Sequence, residues 1–172
     1  MKVMGDDAGT GIDRDFLASV PILGGLPDRV LGRVADLARV LRLPAGGEAF
    51  AEGDPARGMY VVREGELEIV KRGRSGAEFC LAVLKPGDCV GEMSLIDIQN
   101  RSATARATVP SALYVLDHAV IAGLYHTELE VYTLFMLNIA REISRRLRCA
   151  DQLLVDMGVA VHQMAPGARL TV

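Results

Sequence analysis

The residues with the clearest chemical potential lie close together between positions 86 and 105 of the 172-residue chain. Gly91 and Glu92 are adjacent, and Arg101 follows them after a short loop. An arginine guanidinium can bind a phosphate through two parallel hydrogen bonds, whereas a carboxylate only accepts hydrogen bonds and therefore suits a sugar hydroxyl. Because glycine lacks a side chain, it lets the backbone approach a ligand closely. These are the residue types that a site for a phosphorylated sugar needs.

The neighbouring residues are compatible with such a site. The run from Met93 to Asp97 can form one helical turn, whose first backbone N–H groups have no partner within the helix and can bind an anion. Ser102 and Ala103 are small and leave room beside the arginine. A glycine–glutamate pair is, however, commonly just a turn, and a single arginine near a loop end is commonly a solvated charge. Spacing alone leaves both interpretations open.

Other kinds of chemistry find little support in the sequence. The histidines are scattered, so we expect no metal site and no nucleophilic triad: His118, His126 and His162. The cysteines are odd in number and widely spaced, which argues against a disulfide framework: Cys80, Cys89 and Cys149. We interpret Cys89, beside the candidate site, as an ordinary small apolar residue. The net charge of −3 excludes a strongly basic nucleic-acid-binding surface over the whole chain.

The hydrophobic pattern places the candidate site in a β-rich middle part between two helical parts. Residues 13–40 carry apolar side chains at helical spacing, with Pro27 at the start of a second helix. From about 43 to 116, short alternating segments are separated by glycine turns, which is typical of a barrel, roll or sandwich. Helical periodicity returns over about 118–157. This order predicts an α+β fold.

The C-terminal helical part divides into a short helix and a long one. The short helix runs from His118 to Tyr125, and the long one from about Thr127 to Met157, where Gly158 suits a helix end. The long helix carries a heptad-like apolar seam, interrupted at Arg146: Tyr132, Met136, Ile139, Ile143, Ala150, Leu153 and Met157. Such a seam either packs on the chain's own β-rich part or pairs two copies as a homodimer, and we expect the homodimer.

A basic stripe follows the same helix. It contains Arg141, Arg145 and Arg148, with Arg146 nearby. We interpret the stripe as a solvated face paired with Glu142 or Asp151, rather than as a nucleic-acid contact.

The length predicts one domain with a short terminal segment at each end. Residues 1–12 are expected to form a flexible leader, 13–157 the domain, and 158–172 a tail. Only about 15 residues follow Met157, too few for a DNA-reading helix-turn-helix, so we expect no direct DNA binding. The start lacks the apolar core of a signal peptide, and no apolar run is long enough for a membrane span. We therefore expect a cytoplasmic protein without membrane contact.

The residues around Gly91 resemble the phosphate-binding cassette of cyclic nucleotide-binding domains. That family includes bacterial catabolite activator proteins, regulatory subunits of cyclic-AMP-dependent protein kinase, and cyclic-nucleotide-gated channels. The segments that carry the resemblance occur in the family's order: Pro44–Glu48, Glu52–Pro55, Gly58–Val62, Gly65–Ile69, Leu84–Asp88, Gly91–Leu95 and Arg101–Ala105. The resemblance extends from about Phe16 to Leu154. It implies an antiparallel β-roll of the double-stranded jelly-roll type, flanked by N-terminal helices and a long C-terminal helix.

The resemblance also implies a role for each residue of the cassette. Glu92 would accept a hydrogen bond from the ribose 2′-hydroxyl, and Arg101 would pair with the cyclic phosphate. Gly91 would permit the close approach. Backbone N–H groups would complete the phosphate cradle, namely those of Met93 and Ser94 and those near Ser102 and Ala103.

Two details bear on packing and on the base. The family often has an aromatic residue where this chain has Val90, which we expect to change packing rather than ligand chemistry. Ser102 is compatible with either base, and we expect cyclic AMP rather than cyclic GMP. Three apolar side chains could face the base, although we expect them to fill the core of the roll: Val61, Leu81 and Val83.

The function implied is that of a stand-alone sensor rather than an enzyme. A cyclic nucleotide would bind as a ligand, without a prosthetic group, and would reposition the C-terminal helices. A ligand does this only by binding one arrangement better than the other. The signal would pass to a downstream protein that the sequence does not name. The alternative is a degenerate scaffold that kept the roll and binds no nucleotide, against which the intact Glu92 and Arg101 argue.

Overall fold

A computed structural model of the chain describes residues 11–97 and 99–164, with side chains described up to residue 159. All but the last two positions of the expected leader lie outside these residues, as does most of the expected tail.

The chain begins with two helices that pack together. Helix α1 (Arg14–Ser19) starts at Asp13, whose carboxylate accepts a hydrogen bond from the backbone N–H of Phe16 at 2.9 Å. A short 3-10 turn (Pro21–Leu23) leads to helix α2 (Asp28–Leu37), with Pro27 just before its first residue. The prediction that the helical pattern reaches Val40 was wrong. A strand begins at Arg39, because this segment finds backbone partners on the last strand of the roll.

The described residues next form eight strands in two antiparallel sheets. The strands are β1 (Arg39–Leu43), β2 (Glu48–Phe50), β3 (Gly58–Glu64), β4 (Leu67–Arg72), β5 (Glu78–Leu84), β6 (Cys89–Val90), β7 (Thr104–Ala107) and β8 (Ser111–Asp117). The first sheet has the order β1-β8-β3-β6, and the second has the order β2-β7-β4-β5. A four-residue helix, α3 (Ser94–Asp97), lies between β6 and β7. The predicted α+β fold with an antiparallel β-roll is confirmed.

The core has two parts, one within the roll and one between the roll and the helices. Within the roll lie small and aliphatic side chains: Leu43, Val62, Leu67, Leu84, Val90, Ala105, Ala107 and Leu113. On the other side of the first sheet, Met59, Val61 and Leu116 pack against the helices. Val61 is therefore a core residue, as expected. The same expectation was wrong for Leu81 and Val83, which are 55% and 48% exposed because nothing in the described chain covers either face of β5 before Leu84.

The last two helices meet at a break held by salt bridges. Helix α4 (His118–Thr127) is followed by Glu128, whose extended backbone (φ −148°, ψ 69°) separates it from helix α5 (Leu129–Met164). The Glu128 carboxylate accepts hydrogen bonds from Arg29 and Arg33 of α2. This joint is thereby fixed to the N-terminal helices.

Helix α5 is 36 residues long and only its first half is covered by the rest of the chain. Phe135 and Ile139 are fully buried against the roll, and the first four positions of the predicted seam pack in the same cluster. Leu153 and Met157, farther along, are 59% and 61% exposed. The predicted helix end at Gly158 was wrong, because a single glycine costs a helix only about 1 kcal/mol and need not end it.

Candidate functional site

The loop after β6 turns sharply at Gly91. Its backbone has a φ of +84°, which glycine adopts far more readily than other residues. A Cβ atom at this position would collide with the Arg101 guanidinium and would stand 3.2 Å from the carbonyl oxygen of Gly58. Glycine is therefore required twice, for the turn and for the close approach of the arginine.

Glu92 is a buried carboxylate with one oxygen satisfied and one without a partner. The residue is 2% exposed, and its Oε1 accepts a hydrogen bond from Arg146 Nη1 of α5 at 3.0 Å. Its Oε2 has no hydrogen-bond partner among the described residues. Burial raises the pKa of Glu92 above its ordinary value, although the charge of Arg146 opposes the shift. A buried acceptor without a partner is costly, so this oxygen is suited to a donor from a ligand.

Arg101 is a buried cation that, like Glu92, has one polar atom without a hydrogen-bond partner among the described residues. It is 6% exposed and donates to two backbone carbonyl oxygens, those of Gly91 at 3.2 Å and Gly58 at 2.6 Å. Its Nε has no hydrogen-bond partner among the described residues. Burial lowers the pKa of this guanidinium below its ordinary value. The site therefore holds a positive group that an anion would stabilise.

Both groups line one cavity of about 260 Å³ at the open side of the roll. The cavity brings together all the predicted site residues: Gly91, Glu92, Met93, Ser94, Arg101, Ser102 and Ala103. Apolar walls come from β4 and β5, including Ile69 and Leu81, and Phe50 of β2 lies at the same cavity. It has a polar end suited to a phosphate and sugar and an apolar part suited to a flat ring.

Sequence reasoning missed the residue that joins this cavity to the long helix. Arg146 donates to Cys89 O at 2.6 Å, to Glu142 Oε1 at 2.8 Å and to Glu92 Oε1 at 3.0 Å. The available signal was the interruption of the apolar seam at this position. Burial lowers the pKa of Arg146, but Glu92 and its other neighbours outweigh burial and raise it overall.

The other residues of the basic stripe have local partners. Arg145 pairs with Glu142 at 2.7 Å, as the sequence led us to expect. Arg141 donates to Asn138 and Arg148 donates to Ser144.

A second link runs from the cassette to helix α4. The Ser94 hydroxyl donates to Gly91 O at 2.8 Å and lies 3.2 Å from Nε2 of His118, the first residue of α4. Burial lowers the pKa of His118, and the nearby charge of Arg101 lowers it further.

Other chemistry is not visible among the residues that the structure describes. No three His, Cys, Asp or Glu side chains within residues 11–97 and 99–164 are grouped as metal ligands. Cys89 is buried, and burial raises the pKa of its thiol, which makes it a poor nucleophile. None of the described helices is long and apolar enough to cross a membrane.

Comparison with known proteins finds relatives of this chain among cAMP-dependent proteins. The chain is 35% identical over 89 residues to a cAMP-dependent protein kinase regulatory subunit of Aspergillus niger, a match that covers 52% of this chain and 21% of the subunit. It is 35% identical over 108 residues to the cyclic AMP receptor protein of Thermus thermophilus, covering 63% of this chain and 48% of that protein. The chain thus spans about a fifth to half the length of these two relatives.

A solved structure and a family profile agree with these matches. The N-terminal domain of a transcriptional regulator from Streptomyces coelicolor A3(2) is 30% identical and superposes with a TM-score of 0.68, over 76% of this chain and 94% of that one. The profile of the cyclic nucleotide-binding domain matches residues 40–128, which is more than half of the chain and contains the whole cavity-forming loop. With its roll, its cassette and these matches taken together, the chain belongs to the cyclic nucleotide-binding domain family.

Proposed function

We propose that this chain binds cyclic AMP in the cavity of the roll and acts as a regulatory module without a catalytic step of its own. One observation carries the proposal. Two buried groups of opposite charge, Glu92 and Arg101, line the same cavity, and each has an atom without a hydrogen-bond partner among the described residues. A cyclic nucleotide supplies the matching pair of groups, a sugar hydroxyl and an anionic phosphate.

The roles follow from the chemistry of each group. Glu92 Oε2 accepts a hydrogen bond from the ribose 2′-hydroxyl, and the Arg101 guanidinium binds the cyclic phosphate. Backbone N–H groups of the loop add donors to the phosphate, namely those of Met93, Ser94, Ser102 and Ala103. The base lies against the apolar wall that includes Ile69 and Leu81. The exposure of Leu81 supports this role, since a ligand would cover it.

The choice of cyclic AMP over cyclic GMP is part of the proposal. The two relatives named above are a cAMP-dependent kinase subunit and a cyclic AMP receptor protein. Ser102 is compatible with both bases.

Thermal denaturation with added ligand tests the binding function. A ligand that binds only the folded state raises the melting temperature by mass action. We expect cyclic AMP to raise the Tm more than cyclic GMP, and 5′-AMP to leave it unchanged, with calorimetry confirming one site per chain. If neither cyclic nucleotide shifts the Tm or gives a heat of binding, the chain is a degenerate scaffold and the proposal fails.

We also infer that the signal leaves the cavity through the C-terminal helices to a downstream partner. The supporting contact is the ion pair between Glu92 in the cavity and Arg146 on α5, at 3.0 Å. A nucleotide hydroxyl that donates to Glu92 changes the hydrogen bonding and the position of this carboxylate. The nucleotide thereby changes the relative free energy of different α5 positions, which is the requirement for a ligand-driven shift.

The exposed half of α5 supports a homodimer as the assembly that would receive this signal. Leu153 lies two heptads after the buried Ile139, and Met157 lies one turn farther on, so both continue the face that packs on the roll. Beyond the roll, this face is apolar and exposed. A second copy would cover it by pairing the two long helices. Because the apolar face is the one that meets the roll, such a dimer lies directly next to the Arg146 contact.

A further inference from the structure

The charge of Arg101 is held in an unusual way for a buried cation. Arg101 donates to two backbone carbonyl oxygens and interacts with the Tyr60 side chain. None of the ion pairs among the described residues includes it, although the charges of Glu92 and Asp54 act on it from nearby. A buried arginine normally faces a carboxylate, because an unpaired charge in a low-dielectric interior is costly. The two carbonyl oxygens hold the guanidinium without an ion pair, and other uncharged groups can add to its positioning.

Two aromatic rings from different sheets lie against it. The guanidinium carbon of Arg101 is 4.2 Å from the ring centre of Phe50, on β2 of the second sheet. It is 5.5 Å from the ring centre of Tyr60, on β3 of the first sheet. The two rings are themselves in contact, with centres 5.5 Å apart and planes tilted by 37°. Together Phe50 and Tyr60 form a surface that we call the aromatic seat.

A ring and a carboxylate hold a cation with different consequences. The electron-rich face of a ring attracts a guanidinium but carries no net charge. The cation on an aromatic seat is positioned without being neutralised, whereas a carboxylate would compete with any incoming anion. The Nε–H of Arg101 has no partner among the described residues and so stays available to an anion.

We propose that Phe50 and Tyr60 are positioning residues, which hold Arg101 ready for the phosphate and leave its positive charge to the ligand. This inference rests on the proposed function, because it concerns how the same site gains its affinity for an anionic phosphate. It assigns a purpose to Phe50 that differs from a contact with the base. The aromatic seat acts on the ligand only through Arg101.

Substitutions at Phe50 separate these roles. Phe50→Leu removes the ring and keeps an apolar side chain, whereas Phe50→Trp keeps an aromatic face. We expect Phe50→Leu to weaken cyclic AMP binding about tenfold and Phe50→Trp to stay within about threefold of the unchanged protein. Calorimetry measures both, and circular dichroism shows that each variant folds. Equal binding by Phe50→Leu and the unchanged protein would overturn the proposal.

A double-mutant cycle distinguishes positioning from direct contact. In an Arg101→Ala background, measured at high ligand concentration, Phe50→Leu should cause no further loss, because the seat then has nothing to hold. If Phe50 instead contacts the base, its loss remains tenfold in both backgrounds, and the proposal is wrong.

One measurement on the unchanged protein needs no folded variant. Ring currents from the aromatic seat should shift the side-chain NMR signals of Arg101, assigned by triple-resonance spectra of the unchanged protein. Unshifted signals would contradict the seat even if Phe50→Leu failed to fold. Failure of the unchanged protein to bind cyclic AMP is a separate result, which would reject the proposed function and leave this NMR test of the seat in place.

Discussion

Arg101 and Glu92 are individually costly to the folded protein, and this cost supports the ligand-binding roles that we propose for them. Each is buried, each has an atom without a partner among the described residues, and burial disfavours the charged form of both. A residue that served stability alone would have its hydrogen bonds completed by the protein. The proposed ligand would supply the hydrogen-bond partners that these two atoms lack.

Replacing Arg101 should remove the main anion contact. Arg101→Ala leaves the ligand phosphate without its charged donor, and we expect cyclic AMP binding to weaken by about 2–3 kcal/mol, roughly 30- to 150-fold. Calorimetry measures this directly. Arg106→Ala is the matched control, since Arg106 forms its ion pairs with Glu68 and Glu78 away from the cavity. Unchanged affinity in Arg101→Ala would contradict the assignment.

Gly91→Ala should damage the site more than backbone strain alone would. Gly91 and Gly76 have the same φ of +84°, but a Cβ at Gly76 meets nothing within 4 Å, whereas one at Gly91 meets the Arg101 guanidinium. Gly76→Ala therefore measures the strain by itself. We expect Gly91→Ala to lower the Tm further than Gly76→Ala and to abolish measurable cyclic AMP binding. Equal effects in the two variants would show that the collision is relieved at no cost.

His118 should make stability fall on mild acidification. Its pKa in the folded state lies below the ordinary 6.5, so the unfolded chain binds more protons between these two values. The stabilisation is present above pH 6.5 and is lost as the pH falls through the folded-state pKa. We therefore expect the Tm to drop more between pH 7.5 and 5.5 in the unchanged protein than in His118→Asn.

The comparison between variants isolates this histidine. The raised pKa of Glu92 gives an opposite pH dependence, but it does so in both proteins and cancels in the difference. His126→Asn, at an exposed position on the same helix, gives the baseline for removing a histidine. Identical pH profiles for the unchanged protein and His118→Asn would contradict the prediction.

At the scale of elements, helix α5 contacts a residue of the cavity and also extends beyond the roll. Arg146 is its only described side chain with hydrogen bonds to both Glu92 and the strand β6. Arg146→Gln leaves Glu92 without its ion-pair partner. We expect cyclic AMP binding to weaken about tenfold, because Glu92 is then neither oriented nor kept ionised. The affinity for 2′-deoxy cyclic AMP, which lacks the hydroxyl, should change much less.

The neighbouring arginine provides the control for this helix prediction. Arg145 shares the partner Glu142 with Arg146 but does not reach Glu92. Arg145→Gln should therefore bind both ligands as the unchanged protein does. Equal losses for the two ligands in Arg146→Gln would mean that Arg146 acts elsewhere than on the hydroxyl acceptor.

The sequence predicts these elements well where a local pattern decides them. The roll and its turns follow from alternating apolar residues and glycines, and the cassette follows from residue type and order. Prediction from the sequence fails where contacts with a distant part of the chain determine the structure of a segment. Residues 39–43 become a strand because they pair with β8, and Leu81 is exposed because no other described element packs over its part of β5. Arg146 and Phe50 reach the cavity through the packing of separate elements, which no local pattern reports.

At the scale of the whole molecule, the exposed half of α5 determines the oligomeric state that we expect. Leu153→Glu places a charge on the apolar face that the proposed dimer buries, so light scattering should show the mass of a monomer. Val155→Glu is the matched control, because Val155 is 59% exposed, as Leu153 is, but lies about 200° away around the helix. A dimer that survives Leu153→Glu would contradict pairing through this face.

The salt-bridged joint at Glu128 has a mechanical consequence for the whole chain. Arg29 and Arg33 of helix α2 hold Glu128 by hydrogen bonds. Glu128 is therefore the pivot about which we would expect α5 to rotate. With about 1.5 Å of rise per residue, Arg146 stands about 27 Å from Glu128 along the helix and Met164 about 54 Å. If α5 rotates as a rigid body about Glu128, the displacement at Met164 is about twice the displacement at Arg146. On the signalling route proposed above, α5 would therefore move about twice as far at its free end as it does beside the cavity.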